Sequence, residues 1–490
     1  MTARRNLAIA FLQKQAQTLI AVVSVMILAR LIPPEETGVF SIGVAVAAVT
    51  HAVRDFGVGN FLIKEPVITA EKIRTAFTIS LLIAAVLSAV LLGIAGPTAR
   101  FYGQPEVATV VRLTTFGLLI SPLSTVNLAL LLRERRFFDM FKVSMAGAIA
   151  GAAVSVFFAW RGQGATALAL GSLATSLATV VAANLLLPRY GDYLPSLAHW
   201  RPIWRFGVHS TLAGVSDQIG GRASDLILGK MLGFGPVGIL SRSGSLITMF
   251  QDAVLSATAP VVLASMAVDA RKGDGASAKV LISIEYATVV AWPFFAVLAI
   301  FAHDAVLVLF GRQWLAAAPY TSILCGAAAL SMLPSFSAIA ATATGRMDLL
   351  SRYSMANQGI RVGLIALGAL SGLRAVALLL VMAAAIQCGL AYMLLRRAAP
   401  ITAAQVVQRV WRSLAVTAIV AAAMVPVDLW AGDVPLIRML VVAVTATVAW
   451  LAGMAVVRHP AAGLLAAATA LIASRLTALM PPKFRLRGAR

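Results

Sequence analysis

Runs of about 20 apolar residues, the length that carries a helix across a hydrocarbon core, recur along the whole chain. They lie at about residues 7–32, 38–60, 75–96, 108–132, 143–160, 165–187, 207–231, 237–262, 280–302, 318–344, 355–371, 375–395, 413–430 and 437–457. The connections between them are no longer than about 20 residues, so no soluble domain is expected on either side. The pattern predicts an all-α polytopic membrane protein with about 14 transmembrane helices.

Several of these spans are not apolar all round. In the seventh, Ser210, Thr211, Gly214, Asp217, Gln218, Gly221, Arg222, Ser224 and Asp225 project onto one arc of ~160° at the helical period. Leu212, Ile219, Ala223, Leu226 and Ile227 cover the rest. The first span has a similar stripe in Asn6, Gln13, Lys14, Gln17, Thr18 and Ser24. At an offset of 200 residues Gln17 corresponds to Asp217, Thr18 to Gln218 and Ser24 to Ser224. Span two carries His51, Arg54 and Asp55, and span eight carries Ser241, Arg242, Ser245, Thr248, Asp252 and Ser256. Charged groups at bilayer depth cost several kcal/mol unless paired or hydrated, so these faces are expected to line a cavity. The competing reading is that Asp217, Arg222 and Asp225 form a self-satisfied ion-pair set that only holds helices together. Glu285 and Arg361 are further embedded candidates, although each could be a snorkelling helix-end residue.

The same offset marks an internal repeat. Ile27-Leu28-Ala29-Arg30-Leu31-Ile32, a break, then Gly38-Val39-Phe40-Ser41 returns as Ile227-Leu228-Gly229-Lys230-Met231-Leu232, a break, then Gly238-Ile239-Leu240-Ser241. In a membrane chain such an echo indicates a transporter of two related halves, with the substrate site at their interface.

Composition agrees with the membrane reading: 60% of residues are hydrophobic and 12% charged, against about a quarter charged in soluble domains. The net charge of +21 could suggest nucleic acid, but its distribution does not. With the N-terminus inside, the even loops, both termini and adjoining helix ends hold 28 Lys and Arg, and the odd loops and their helix ends hold 8. This is the positive-inside asymmetry, and it places both termini in the cytoplasm. No soluble basic module gathers the charge for a nucleic-acid partner. Residues 458–490 read as an interfacial helix with a basic tail, Lys483, Arg485, Arg487 and Arg490, on anionic lipid. Cys325 and Cys388 each sit inside an apolar span and suggest neither disulfide nor metal site. Arg4-Arg5 could open a signal peptide, but the following run contains Gln13, Lys14, Gln15 and Gln17 and reads as the first transmembrane helix. Gly233-Phe234-Gly235-Pro236-Val237-Gly238 matches G-x-G-x-x-G but follows no strand, so it reads as a turn. No P-loop or other cofactor motif is present.

Lys14, Arg54, Arg222 and Arg242, with Gln17 and Gln218, make the expected lumen cationic. Guanidinium groups bind phosphate oxygens bidentately, so an anionic substrate follows. Asp55, Asp217, Asp225 and His51 are the groups that could carry a coupling H⁺ or Na⁺; His51 and Asp55 stand one helical turn apart.

Three segments resemble a known family. They are Arg30-Leu31-Ile32-Pro33-Pro34-Glu35-Glu36 with Gly38-Val39-Phe40; Arg54-Asp55-Phe56-Gly57-Val58-Gly59 with Phe61-Leu62-Ile63; and Asp225 with Gly229-Lys230, Leu232-Gly233 and Gly238. They are similar to signatures of the polysaccharide-transport family, the oligosaccharide-lipid flippases of the multidrug/oligosaccharidyl-lipid/polysaccharide exporter superfamily. The resemblance covers roughly residues 7–350, and Leu240 departs from it where the family often has an aromatic residue. It implies two six-helix lobes, 1–187 and 207–395, related by a pseudo-twofold along the membrane normal. Two additional helices then occupy 413–457 without any motif. The implied activity is alternating-access export of a polyprenyl-pyrophosphate-linked oligosaccharide across a bacterial inner membrane, for surface polysaccharide. Glycan polymerase and export machinery are the implied partners. In the related lipid II flippases, basic residues of the first, second and seventh or eighth helices line the cavity, and Lys14, Arg54 and Arg222 occupy similar places. A multidrug or organic-cation antiporter of the same superfamily would call for a more acidic and aromatic cavity. A scaffold would not need matched polar faces, and a membrane-embedded polymerase commonly has long loops over the bilayer.

Overall fold

The computed structural model describes residues 3–188, 194–198, 200–251, 277–344, 346–398, 401–430 and 434–463. The side chains of residues 3–12, 208–217 (Asp217 among them) and 219, and of further positions including Lys14, His51 and Asp55, lie outside the described residues. Among the described residues the regular structure is helical, with no strand.

The helices are α1 (Ala3–Leu31), α2 (Pro34–Asp55), α3 (Val58–Lys64), α4 (Ala70–Tyr102), α5 (Pro105–Ile120), α6 (Pro122–Arg133), α7 (Phe137–Trp160), α8 (Gly164–Leu186), α9 (Trp200–Met231) and α10 (residues 234–251). They continue with α11 (Ser277–Ile300), α12 (Ala302–Phe310), a 3₁₀ turn (Arg312–Ala317), α13 (Ala318–Ala343), α14 (Met347–Ala369), α15 (Leu373–Ala398), α16 (Ala403–Trp430) and α17 (Pro435–Val456). Twelve of the fourteen expected spans each fall on one of these helices, the second runs across the break between α2 and α3 and the fourth across that between α5 and α6, and residues 252–262 of the eighth, otherwise on α10, lie outside the described residues. By length and composition, eight of the described helices could cross a membrane, or nine counting the α5–α6 pair. The fourth span bends by 50° between α5 and α6. The break is at Ser121-Pro122, because proline removes an N–H and disfavours a helical residue before it.

Packing divides the chain into two compact units. The first comprises 1–246, 306–324 and 351–383, and the second 247–305, 325–350 and 384–490.

In the first unit one core joins Val39, Ile42, Val107, Val110, Val111 and Leu228. A second joins Phe61, Leu62, Phe77, Val126, Leu130 and Ile203. The Arg54-Asp55-Phe56-Gly57 phrase has a local reason. Gly57 takes φ 63° to end α2 and start α3, a left-handed conformation that costs glycine little. Phe56 then packs on Trp204 of α9, ring centroids 5.1 Å apart. Beyond α3, Arg133 gathers the carbonyls of Leu62, Ile63 and Pro66 at 2.9, 3.2 and 3.1 Å. The α7–α8 contact is a seam of small residues, with Gly147, Gly151 and Ser155 against Gly171, Thr175 and Thr179. Such seams let helix backbones approach closely in lipid.

The second unit packs α11 against α16 and α17 through Val289, Val416, Val420, Ala449 and Met454, and through Phe301, Met424 and Val442. An apolar cavity of about 370 Å³ lies among them, lined by residues including Phe250, Phe294, Val297, Phe301, Met439 and Trp450.

Candidate functional site: a cationic patch and a crossing of the repeat

The two copies of the repeat meet each other within the first unit. α2 and α10 begin in matching positions, and their first turns approach backbone to backbone. A Cβ on Gly38 would stand 1.9 Å from the carbonyl oxygen of Phe234, and one on Gly238 would stand 2.0 Å from that of Pro34. Gly38 and Gly238, like Pro34 and Phe234, are 200 residues apart, so the contact is reciprocal. The charged residues of the repeat brace the same region. Arg30 donates to the carbonyls of Val308 and Leu309 at 2.7 and 3.3 Å. Lys230, its counterpart, donates to that of Phe101 at 2.7 Å and lies 4.2 Å from that ring's centroid. Tyr102 donates to Leu226 O at 3.1 Å, and Trp314 to Ala29 O at 2.6 Å. Gln313 also donates to Ala29 O. Each cation thus caps the carbonyl end of a helix from the opposite half of the sequence, where the macrodipole is negative.

The polar face of α9 carries three of the expected site residues, Gln218, Arg222 and Asp225. Arg222 is exposed, and its Nη1 lies 3.7 Å from Oδ2 of the less exposed Asp225, one turn away. At that separation the pair attracts without a short hydrogen bond, so most of the five guanidinium donors are uncommitted among the described residues. Arg361, half-buried on α14, also lies within electrostatic reach of Asp225. α14 meets α9 at Gly220, whose Cβ would fall 2.2 Å from the Gln358 carboxamide. Gln358 Oε1 is buried without a hydrogen-bond partner among the described residues. Two guanidinium groups therefore act on one carboxylate, Arg222 as an ion pair and Arg361 from farther off, with the unused acceptor of Gln358 and the exposed Gln218 on the same two helices.

Arg242 on α10 has a different environment. Its Cζ lies 5.2 Å from the ring centroid of Phe310 and 4.8 Å from that of Trp314. Its Nε is buried without a hydrogen bond, and no carboxylate pairs with it among the described residues. Two aromatic faces partly replace the lost hydration of the cation. Gln17 is half-buried on α1, where neighbouring Gln13 donates to Ser144 of α7 at 3.0 Å. Arg54 is half-buried in the last turn of α2.

Of the site residues expected from sequence, Arg222 and Asp225 come together, and Arg361 joins them. Gln358 was not anticipated, although Ser351, Ser354, Gln358 and Arg361 recur at helical spacing along one face of α14; its contact with Gly220 ties that face to α9. Glu285, the other embedded candidate, pairs with Arg409 in the second unit at 3.0 Å. No group of three or more metal-ligating side chains occurs among the described residues.

Such a repeat-built helical membrane chain shares its fold with solved membrane transporters. The lipid II flippase MurJ in its inward closed conformation superposes with a TM-score of 0.74 at 12% identity, covering 91% of this chain and 97% of that one. An inward-facing multidrug resistance MATE transporter superposes with a TM-score of 0.60 at 15% identity, covering 78% and 94%. These likenesses concern the fold. Residues 27–319 match the family of polysaccharide biosynthesis proteins, Polysacc_synt_3, and the chain belongs to that family. It is 26% identical over 324 residues to the succinoglycan biosynthesis transport protein ExoT of Rhizobium meliloti (strain 1021). That alignment covers 66% of this chain and 65% of ExoT, just under two thirds of the relative's length.

Proposed function

We propose that this protein flips a polyprenyl-pyrophosphate-linked oligosaccharide from the cytoplasmic to the periplasmic leaflet of a bacterial inner membrane, supplying surface polysaccharide synthesis. It does so without making or breaking bonds, by alternating access between two six-helix lobes. The observation that carries this reading is that two guanidinium groups, Arg222 in an ion pair with Asp225 and Arg361 within its electrostatic reach, stand against one carboxylate. The two groups leave net positive charge and a fork of donors suited to a pyrophosphate. Arg242 and Arg54 add to that charge, which disfavours the organic-cation antiporter of similar fold. The apolar cavity of the second unit suits a prenyl chain by its chemistry.

Transport is driven by a proton or sodium gradient acting at Asp225, Asp217 or the His51–Asp55 pair, or by the membrane potential alone. An inside-negative potential favours outward movement of a negative headgroup by ~2.3 kcal/mol per charge at 100 mV. Both termini are cytoplasmic, and a glycan polymerase with its export machinery takes the product. The test is made in cells: Arg222→Ala and Arg361→Ala each abolish surface glycan while the protein inserts at normal levels. Lys substitutions rescue only partly, because the bidentate geometry is lost. Normal glycan from an inserted Ala variant removes that residue from the substrate site.

A further inference from the structure

The second unit holds a buried polar cluster that the transport reading does not use. Glu285 on α11 is 1% exposed. Its Oε2 accepts from Arg409 of α16 at 3.0 Å, and its Oε1 lies 4.0 Å from Nε2 of His459. Between them stands the buried Ser413, whose hydroxyl donates to the Glu285 carbonyl at 3.2 Å and lies 3.4 Å from His459 Nε2. Thr288 Oγ1 is 2.9 Å from the same hydroxyl.

His459 occupies a junction in the chain. α17 ends in a Schellman arrangement: Arg458 takes φ 51°, its N–H bonds Ala455 O at 3.2 Å, and the N–H of His459 bonds Met454 O at 2.9 Å. The next turn starts at once, with Pro460 in the first position, where its missing N–H is harmless. Ala462 N–H bonds His459 O at 3.0 Å, and Ala461 N–H donates to His459 Nδ1 at 3.1 Å. The imidazole thus plays the part of an N-cap side chain.

An imidazole nitrogen accepts a hydrogen bond only while unprotonated. With Nδ1 accepting from Ala461, the ring proton sits on Nε2 and faces Ser413 and Glu285. A second proton can enter only at Nδ1, where it meets the Ala461 N–H. We propose that His459 is a protonation switch at the end of α17: neutral, it caps the turn at residues 460–463, and protonated, it gives up that cap and pairs with Glu285. The charged groups facing it are Glu285 from α11, Arg409 and Arg412 from α16, and its neighbour Arg458. Burial holds the imidazole below its usual range, against the pull of Glu285 and with help from Arg412. The unfolded chain therefore takes the proton first. The stabilisation from the neutral cap is whole above about pH 6.5 and is lost as pH falls through the lower folded value.

The test uses the full chain in lipid nanodiscs. Nitrogen NMR on labelled histidine, with the His459 signal identified by its absence in His459→Asn, should show the Nε2–H tautomer at neutral pH and a titration midpoint below about 6.5. Hydrogen exchange at Ala461 and Ala462, corrected for intrinsic rates, should lose about tenfold in protection across that titration. In His459→Asn, whose carbonyl caps without titrating, protection should stay flat, and in Glu285→Gln the midpoint should fall further. An Nδ1–H tautomer at neutral pH, or protection that does not follow the ring's titration, would overturn the proposal. So would the same loss in His459→Asn. Should the Asn variant not insert, Glu285→Gln identifies the signal by its shifted midpoint, and the wild-type tautomer and exchange data decide.

Discussion

If the crossing of the two repeat copies is the contact that opens and closes during transport, Gly38→Ala should hold it open. The added Cβ would start 1.9 Å from Phe234 O, whereas such contacts are not tolerated below 3.0 Å. The partner is backbone and cannot swing aside, so the helices must separate by at least about 1.1 Å or one of them must deform. Overpacking of this kind costs about 1–3 kcal/mol, which shifts an open–closed equilibrium about 5- to 150-fold. A reporter is at hand in Val39, which is 3% exposed beside the contact. With Cys325 and Cys388 replaced by alanine, a Val39→Cys thiol should react with a membrane-impermeant maleimide faster by that factor when Gly38→Ala is present. Gly238→Ala should act equally, since its Cβ meets Pro34 O at 2.0 Å, and Gly93→Ala, with nothing within 4 Å, should not. Equal labelling rates in inserted wild type and Gly38→Ala would refute the claim that this contact opens.

Other outcomes follow from the same geometry. Topology reporters after Arg135, Arg205, Arg352 and Arg397 should read cytoplasmic, and those near Gly103, Gln163 and Gln313 periplasmic; two on the wrong side would defeat the fourteen-span arrangement. Lys230→Met, which keeps the aliphatic stem but removes the exposed donor to Phe101 O, should lower stability by about 0.5–1 kcal/mol, read as a small fall in melting temperature in detergent. Asp225→Asn should leave substrate binding intact; an unchanged response to collapsed pH and sodium gradients would assign Asp225 to balancing Arg222 and Arg361.

The fold was largely legible because span length and the 200-residue echo are properties of sequence alone. Gly38 and Gly238 stood out as matching positions, but that each fits against the other's helix required the backbone. The fourth span read as one run because hydropathy is blind to the angle that Pro122 imposes. At the site, Arg222 and Asp225 share a helix face at a spacing of three, which periodicity reveals. Arg361 and Gln358 come from α14, and nothing local ties them to α9. The Arg242 aromatic box and the Glu285–Arg409–His459 cluster were out of reach for the same reason, since Arg242 is 68 residues from Phe310 and Glu285 is 124 from Arg409 and 174 from His459.

The most direct measurement of the central claim is made in proteoliposomes. A fluorescent polyprenyl-pyrophosphate oligosaccharide is placed in one leaflet, and its arrival in the other is followed under an imposed potential, beside a polyprenyl-linked glycan with no phosphate. The account predicts that the wild type moves the pyrophosphate form and neglects the uncharged one, and that Arg222→Ala and Arg361→Ala reduce the pyrophosphate rate toward that of empty vesicles. Equal transport of both lipids, or undiminished transport in the double alanine variant, would contradict it.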